Sequence, residues 1–260
     1  MSFLNLQGVS ISFGGLDAVS ALNLCVEEGE LVGLIGPNGA GKTTVFNLLT
    51  GVYAPTRGKI TLCCGDASVE LGGMKPDAIC GAGVARTFQN IRLFKELSVL
   101  DNVRIAMHRG VKCSLFDSMF HTKRNRREEE NILAESLELL SIFHLDAKKD
   151  ELAKNLSYGE QRHLEIARAL ATRPKLLLLD EPAAGMNPAE TAELCTLISW
   201  LREKFKLTVL LIEHDMSLVM KLCERIVVLN YGAQIACGVP AEIRENAEVV
   251  RAYLGEAAHA

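Results

Sequence analysis

Between Gly36 and Thr44 the chain reads GPNGAGKTT, and these residue types at this spacing suit one kind of chemistry. Gly36, Gly39 and Gly41 let successive backbone N–H groups close around phosphate oxygens with no side chain in the way. Pro37, Asn38 and Ala40 complete the turn. Lys42 can reach β- and γ-phosphates, and the Thr43 hydroxyl can ligate Mg²⁺. Thr44 continues into an amphipathic helix, whose start adds partial positive charge. The apolar run Leu31–Ile35 before the turn reads as a strand, giving the strand, loop and helix order that such a loop requires. An ordinary tight turn is the competing reading, and the complete motif in this context argues against it. The sequence predicts a nucleoside triphosphate site.

Four further groups fit around such a site. Lys175–Leu179 reads as a buried parallel strand ending in Asp180-Glu181-Pro182, and the C-terminal end of such a strand faces the ligand crevice. Asp180 suits the Mg²⁺ shell, and Glu181 suits the polarising of an attacking water. An acidic turn after a strand is the plain alternative. Leu207–Ile212 is the next buried strand, and His214 just beyond it can donate to a γ-phosphate. Gln89, at the end of a short strand Val84–Phe88, is well placed to touch a metal ion or a water, although most loop glutamines are merely solvated. Phe13, followed by a glycine pair, fits either a core aromatic or a stacking surface for a base, and the phosphate loop downstream favours stacking.

The run Ser157-Tyr158-Gly159-Glu160-Gln161 carries two compatible readings. Ser157 and Glu160 form a capping box that opens a helix to Ala171. Gly159 in its first turn costs helix stability, and a capped helix start with a glycine offers an anion site.

The elements that hold these groups alternate in type. Val9-Ile11-Phe13 and Val19-Ala21-Leu22-Leu24-Val26 read as antiparallel strands, and Gly58–Cys63 as another. Ser98 caps a helical pattern, and residues 125–140 form a helix with Ile132, Leu133, Leu137 and Leu140 on one stripe. Between them lies a polar, loop-like insertion over 109–127, ending in a basic cluster ahead of Glu128-Glu129-Glu130. Those acids are expected near the positive end of the helix dipole, with a partner or lipid contact as the minor reading. Asn187-Pro188 start a helix to about Arg202. Ile226–Leu229, a Tyr231-Gly232 turn and Ile235 finish the sheet, helices over 240–246 and 247–254 close the pattern, and no regulatory domain is expected after them. The expected class is α/β: a parallel-sheet core lobe over about 1–100 and 171–260, with an N-terminal antiparallel region and an inserted helical lobe over about 101–170.

With 260 residues, the chain can bury a sizeable core. Its net charge of −4 argues against a general nucleic-acid binder. No apolar run reaches membrane-spanning length, and no signal-peptide pattern opens the sequence. The eight cysteines lack metal-ligand spacing and read as reduced, packed thiols of a cytosolic protein, with adjacent Cys63 and Cys64 on opposite faces of a strand. A hydrophobic content of 48% leaves room for a partner surface.

As an ordered set, Gly36–Thr43, Gln89, LSYGEQ at 156–161, LLLLDEP at 176–182, AAGMN at 183–187 and His214 resemble the nucleotide-binding subunit of an ATP-binding cassette transporter, along essentially the whole chain. The resemblance implies a P-loop ATPase core and the binding and hydrolysis of ATP with Mg²⁺. It implies that Phe13 stacks on adenine, and that Thr43, Gln89 and Asp180 serve the metal, partly through water. Gln89 would also couple to the membrane subunit, and His214 would meet the γ-phosphate. Ser157, Tyr158, Gly159, Glu160 and Gln161 would face the ATP held by an opposite subunit, either a copy or a related cassette. Asn187 departs from the aspartate that many cassettes carry in the loop linking the two sites.

Within that family, FGGLDAV at 13–19, ARTFQNIRLF at 85–94, EPAAGMNP at 181–188, LIEHDMSLVM at 211–220 and RAYLG at 251–255 look most like branched-chain amino acid importers. The insertion fits too, and close cousins move urea or lipopolysaccharide. The implied partners are transmembrane permease subunits and, indirectly, a periplasmic or extracellular substrate-binding protein. The implied place is the cytoplasmic face of the cell membrane, as a peripheral subunit. Soluble cassettes acting on DNA or the ribosome usually carry two cassettes per chain, coiled coils or zinc sites, none of which this sequence offers. A non-hydrolysing switch is disfavoured by Glu181 and His214.

Overall fold

The computed structural model describes residues 2–65, 67–108 and 123–257. They form two compact units, Met1–Arg86 with Lys175–Ala260, and Thr87–Pro174.

The first unit holds two sheets. β1 (Leu4–Phe13), β2 (Leu16–Val26), β4 (Arg57–Cys64) and β5 (Ala67–Glu70) make an antiparallel sheet in the order β2-β1-β4-β5. The inward face of β2 runs Val19, Leu22, Leu24, Val26, so the alternation slips by one at Ala21. A register shift in the β1–β2 ladder and a φ of +45° at Ala21 accommodate the extra residue, as a bulge does. Adjacent apolar residues at Ala21-Leu22 are its trace in the sequence.

The six-stranded sheet runs β10-β9-β3-β8-β7-β6, from β3 (Leu31–Ile35), β6 (Val84–Arg86), β7 (Leu176–Asp180), β8 (Thr208–Ile212), β9 (Arg225–Asn230) and β10 (Ala233–Gly238). Its pairings are parallel except that of β9 with β10. β3, β7 and β8 are buried at every position, which is why they read as unbroken apolar runs rather than alternating ones. Each buried leucine or isoleucine there contributes roughly 1.5–3 kcal/mol. Helices α1 (Lys42–Leu49), α2 (Pro76–Gly81), α6 (Pro188–Phe205), α7 (Met216–Leu222), α8 (Pro240–Glu245) and α9 (Ala247–Ala257) complete this unit. α6 continues past Arg202 to Phe205, where Lys206 closes it in the left-handed conformation. The Cys223 thiol is pushed up to about 12 by burial, so it packs as an inert small side chain.

The second unit is helical: α3 (Val99–Met107), α4 (Lys123–Ile142) and α5 (Tyr158–Leu170). Ser98 caps α3 by accepting from Asp101 N at 3.0 Å, as expected. Three expectations are corrected. Strand β6 stops at Arg86, short of Phe88. The buried stripe of α4 is Ile132, Ser136, Leu139 and Leu140, while Leu133 is exposed. Ser136 joins that stripe because its hydroxyl donates back to Ile132 O at 2.6 Å, which satisfies it without water. α4 also begins at Lys123, so Glu128-Glu129-Glu130 lie beyond its first turn, and Glu129 meets Arg104 of α3 at 2.9 Å. Residues 109–122 of the polar insertion lie outside the described residues.

Candidate functional site

The parallel register lines up the C-terminal ends of three strands. Leu34 of β3 faces Ile212 of β8, and Asp180 of β7 faces the same Ile212 from the other side. The phosphate loop, the Asp180-Glu181 pair and the Glu213-His214 pair therefore leave the sheet along one edge, as a ligand crevice in a parallel sheet requires.

The loop itself is tightly built. Gly36 has φ +151°, and a Cβ there would come within 2.1 Å of Leu229 O. Gly41 has φ +100°, and its Cβ would come within 2.5 Å of Ala18 O. Both positions are closed to other residues by backbone atoms. Gly232, in the β9–β10 turn, donates its N–H to Ala40 O at 3.0 Å and accepts from Ser20 N at 2.8 Å. The turn after β9 thus braces the loop from outside. Lys42 is buried, and its Nζ donates to Gly36 O at 2.6 Å and Pro37 O at 2.9 Å, which holds the ammonium over the loop. Asn38, Gly39 and Thr43 are exposed, and Thr44 is half-buried. Gly41 at the N-cap has no side chain to cap α1, and a helix start of this kind suits an anion.

Asp180 is 4% exposed, and its Oδ2 accepts from Arg86 Nη2 at 2.6 Å. Arg86 also donates to Asn47 Oδ1 at 2.7 Å, tying β6, β7 and α1 together. Nothing in the local pattern around ARTFQ predicts this partnership, because it joins residues far apart in the chain. The Thr43 hydroxyl and the Asp180 carboxylate are hard oxygen donors, the class that suits Mg²⁺. Among the described residues no cluster of three or more His, Cys, Asp or Glu could hold a metal. Magnesium needs none, since one or two carboxylates, phosphates and water suffice.

Glu181 has φ +47°, a left-handed conformation that is uncommon for a residue with a side chain. Its N–H donates to Ile212 O at 2.9 Å, and its Oε1 lies 3.4 Å from His214 Nδ1. The His214 side chain is 63% exposed, so one face of the imidazole is open. Glu213 is buried, and burial pushes its carboxyl above the ordinary range, partly offset by the N–H of Ala183 and the charge of His214. Asp215 caps α7 through Ser217 N and Leu218 N, which fixes the chain just after His214. Asn187 caps α6 by accepting from Ala189 N and Glu190 N. An aspartate oxygen would make the same bonds, so the departure at Asn187 leaves this helix start intact.

Phe13 is 45% exposed at the end of β1, and its ring meets that of Tyr53 edge to face with centroids 5.0 Å apart. Tyr53 escapes sequence reasoning, since GVYAPT reads simply as a break after α1.

In the second unit, Ser157 and Glu160 form the expected capping box. Lys148 holds Glu160 at 2.7 Å and, with the Ser157 donors, keeps its carboxyl below the usual range. Gln161 donates to Leu156 O at 2.8 Å. Ser157 and Tyr158 are exposed, and a Cβ on Gly159 would meet nothing within 4 Å. Arg162, absent from the sequence-based site, is fully buried and donates to Phe88 O at 2.6 Å, Gln89 O at 2.9 Å and Glu165 at 2.8 Å. Gln89 is therefore anchored by its backbone to the helix that Ser157 opens. An Arg and a Glu three apart on the buried face of α5 were the available signal.

A family model described as "ABC transporter" matches residues 19–184, and one described as "Branched-chain amino acid ATP-binding cassette transporter" matches residues 233–259. The chain is 49% identical to the high-affinity branched-chain amino acid transport ATP-binding protein BraF of Pseudomonas aeruginosa, over 98% of each chain. It is 49% identical to LivG of Salmonella typhimurium, which carries the same description, again over 98% of each. Among solved structures it resembles the ADP conformation of an ATP-binding cassette of an ABC transporter, at 29% identity and a TM-score of 0.83 over 98% of this chain and 99% of that one. By the first of these models and by identity along nearly its whole length, the protein belongs to the ATP-binding cassette transporter family.

Proposed function

We propose that the chain is the ATP-hydrolysing subunit of a branched-chain amino acid importer, held at the cytoplasmic face of the cell membrane by permease subunits. The observation that carries the hydrolytic part is the convergence of the phosphate loop, Asp180, Glu181 and His214 at one edge of the parallel sheet. The Phe13 face stacks on the base, and the loop N–H groups with Lys42 bind the phosphates. Thr43 and Asp180 would hold Mg²⁺, in part through water, and the ion would neutralise charge on the β- and γ-phosphates. Glu181 orients and polarises the attacking water, and His214 donates to the γ-phosphate. Among the described residues no helix is long and apolar enough to cross a membrane, which fits attachment through partners.

Ser157, Tyr158, Gly159, Glu160 and Gln161 complete the site of a second cassette. Gly159 costs about 1 kcal/mol of helix stability relative to alanine. Among the described residues no atom lies within 4 Å of a Cβ built there, so packing within them does not call for a glycine; we assign that requirement to a partner. A phosphate approaching the open start of α5 supplies that requirement. A substrate-binding protein delivers the amino acid to the permease and need not touch this chain.

The substrate class is tested by co-purifying the chain with its membrane subunits and reconstituting them in vesicles with the binding protein. Uptake of leucine, isoleucine and valine that depends on ATP at the cassette side is expected. Urea uptake without amino acid uptake would replace this substrate with another.

A further inference from the structure

We propose that Glu213 is a positioning residue for hydrolysis: its carboxylate ties the turn behind Glu181 to the turn that carries His214. The inference rests on the reading of Glu181 and His214 as the hydrolytic pair.

Glu213 follows a strand whose other members are apolar or Thr208, and it is only 2% exposed. A carboxylate at such a place is costly unless both oxygens find donors. They find two backbone amides. Oε1 accepts from Ala183 N at 3.0 Å, and Oε2 accepts from His214 N at 3.2 Å. The first amide lies two residues past Glu181, and the second belongs to His214 itself.

The geometry of Glu181 explains why such a tie matters. Its φ of +47° persists only where the surroundings hold it. One constraint is its own N–H on Ile212 O at 2.9 Å. Another is the Glu213 carboxylate, which fixes the chain on the far side of Pro182. Ile212 and Glu213 are neighbours at the end of β8, so a single strand end grips Glu181 from both sides. The same carboxylate fixes the His214 amide, and the two side chains then meet at 3.4 Å. Glu213 reaches the reacting atoms through these backbones and does not touch them.

The test compares Glu213→Ala, Glu213→Gln and Glu181→Gln in the full chain. It measures phosphate release, nucleotide affinity, thermal stability and amide exchange. Glu213→Gln keeps one acceptor oxygen, so kcat should fall about tenfold, and Glu213→Ala should lower it about a hundredfold, the scale of a slightly misplaced catalytic group. Nucleotide affinity should stay within about twofold in both, because the phosphate loop is not part of the tie. Exchange at the Ala183 and His214 amides should quicken while β3 amides keep their protection. If Glu213→Ala does not fold, the near-isosteric Glu213→Gln carries the test. An unchanged kcat with unchanged exchange overturns the inference, as does a parallel loss of affinity and kcat that tracks lost thermal stability. Loss of hydrolysis in Glu181→Gln beside an unaffected Glu213→Ala overturns the positioning role alone. An active Glu181→Gln overturns the catalytic reading beneath it.

Discussion

Nδ1 of His214 lies 3.4 Å from Oε1 of Glu181, at the ends of two neighbouring parallel strands. The carboxylate is mostly shielded and the imidazole mostly open, which suits the proposed roles of one polarising group and one donor. A γ-phosphate and its attacking water need that division of labour.

Base recognition should rest on the aromatic pair. Phe13→Ala should weaken nucleotide binding by about 1–3 kcal/mol, the usual scale for a lost base-stacking ring. Tyr53→Ala should weaken it by less, through the edge-to-face contact worth about 0.5–1.5 kcal/mol. Because a π face discriminates little, GTP should compete within about tenfold of ATP. Fluorescent-nucleotide titration with both competitors checks this, and strong exclusion of GTP or an unchanged Phe13→Ala would count against it.

The phosphate loop, the Asp180-Glu181 strand end and the capping box at Ser157 are legible in the sequence because each is a local pattern with a fixed spacing. What holds them in place is not local. Arg86 meets Asp180 and Asn47, Arg162 meets Phe88 and Gln89, and Glu213 meets Ala183. Each joins segments that the fold alone brings together. The slip at Ala21 and the exposure of Leu133 are failures of simple periodicity. A bulge absorbed one residue in the first case, and a hydroxyl bonded to its own helix replaced an expected leucine in the second.

The shared-site arrangement predicts complementation. Lys42→Ala and Ser157→Arg should each fail to form an ATP-bridged homodimer. Mixed together, they can rebuild one complete site from one chain's loop and the other chain's open helix start. Size-exclusion chromatography with ATP should recover dimer in the mixture. No more dimer than either variant alone forms, at concentrations where wild type pairs, would remove the support for a site built from two subunits.

The buried pair Arg162–Glu165 should be sensitive to single substitutions. Arg162→Ala removes the cation hydrogen-bonded to Glu165 and the donor to two carbonyls, and should cost about 3–5 kcal/mol. Urea denaturation measures the loss, and a cost below about 1 kcal/mol would contradict the role given to this clamp.

Stability should also carry an acid signature from Glu30 and Arg225. Arg225 donates to Glu30 twice, at 2.7 and 2.8 Å, across the starts of β3 and β9. Burial alone would raise the Glu30 carboxyl, but the Arg225 hydrogen bond and the other favourable contacts hold it below its ordinary value. A lowered folded value means the contribution is full above the ordinary glutamate value and is lost as pH falls through the folded one. Glu30→Gln should therefore cost up to about 1 kcal/mol near pH 7, the scale of a partly solvent-screened ion pair. The gap to wild type should narrow as the pH is taken from 7 to below the ordinary glutamate value. Denaturation at the two pH values checks the sign, and a gap that widens in acid would contradict it.

The most direct measurement is phosphate release and nucleotide affinity in Glu181→Gln, which keeps the size and polarity of the side chain but removes the charge that orients water. Hydrolysis should fall by at least about a hundredfold, and ATP affinity should stay within about twofold, so that an ATP-bridged dimer accumulates. A Glu181→Gln protein that turns over ATP at the wild-type rate would contradict the account.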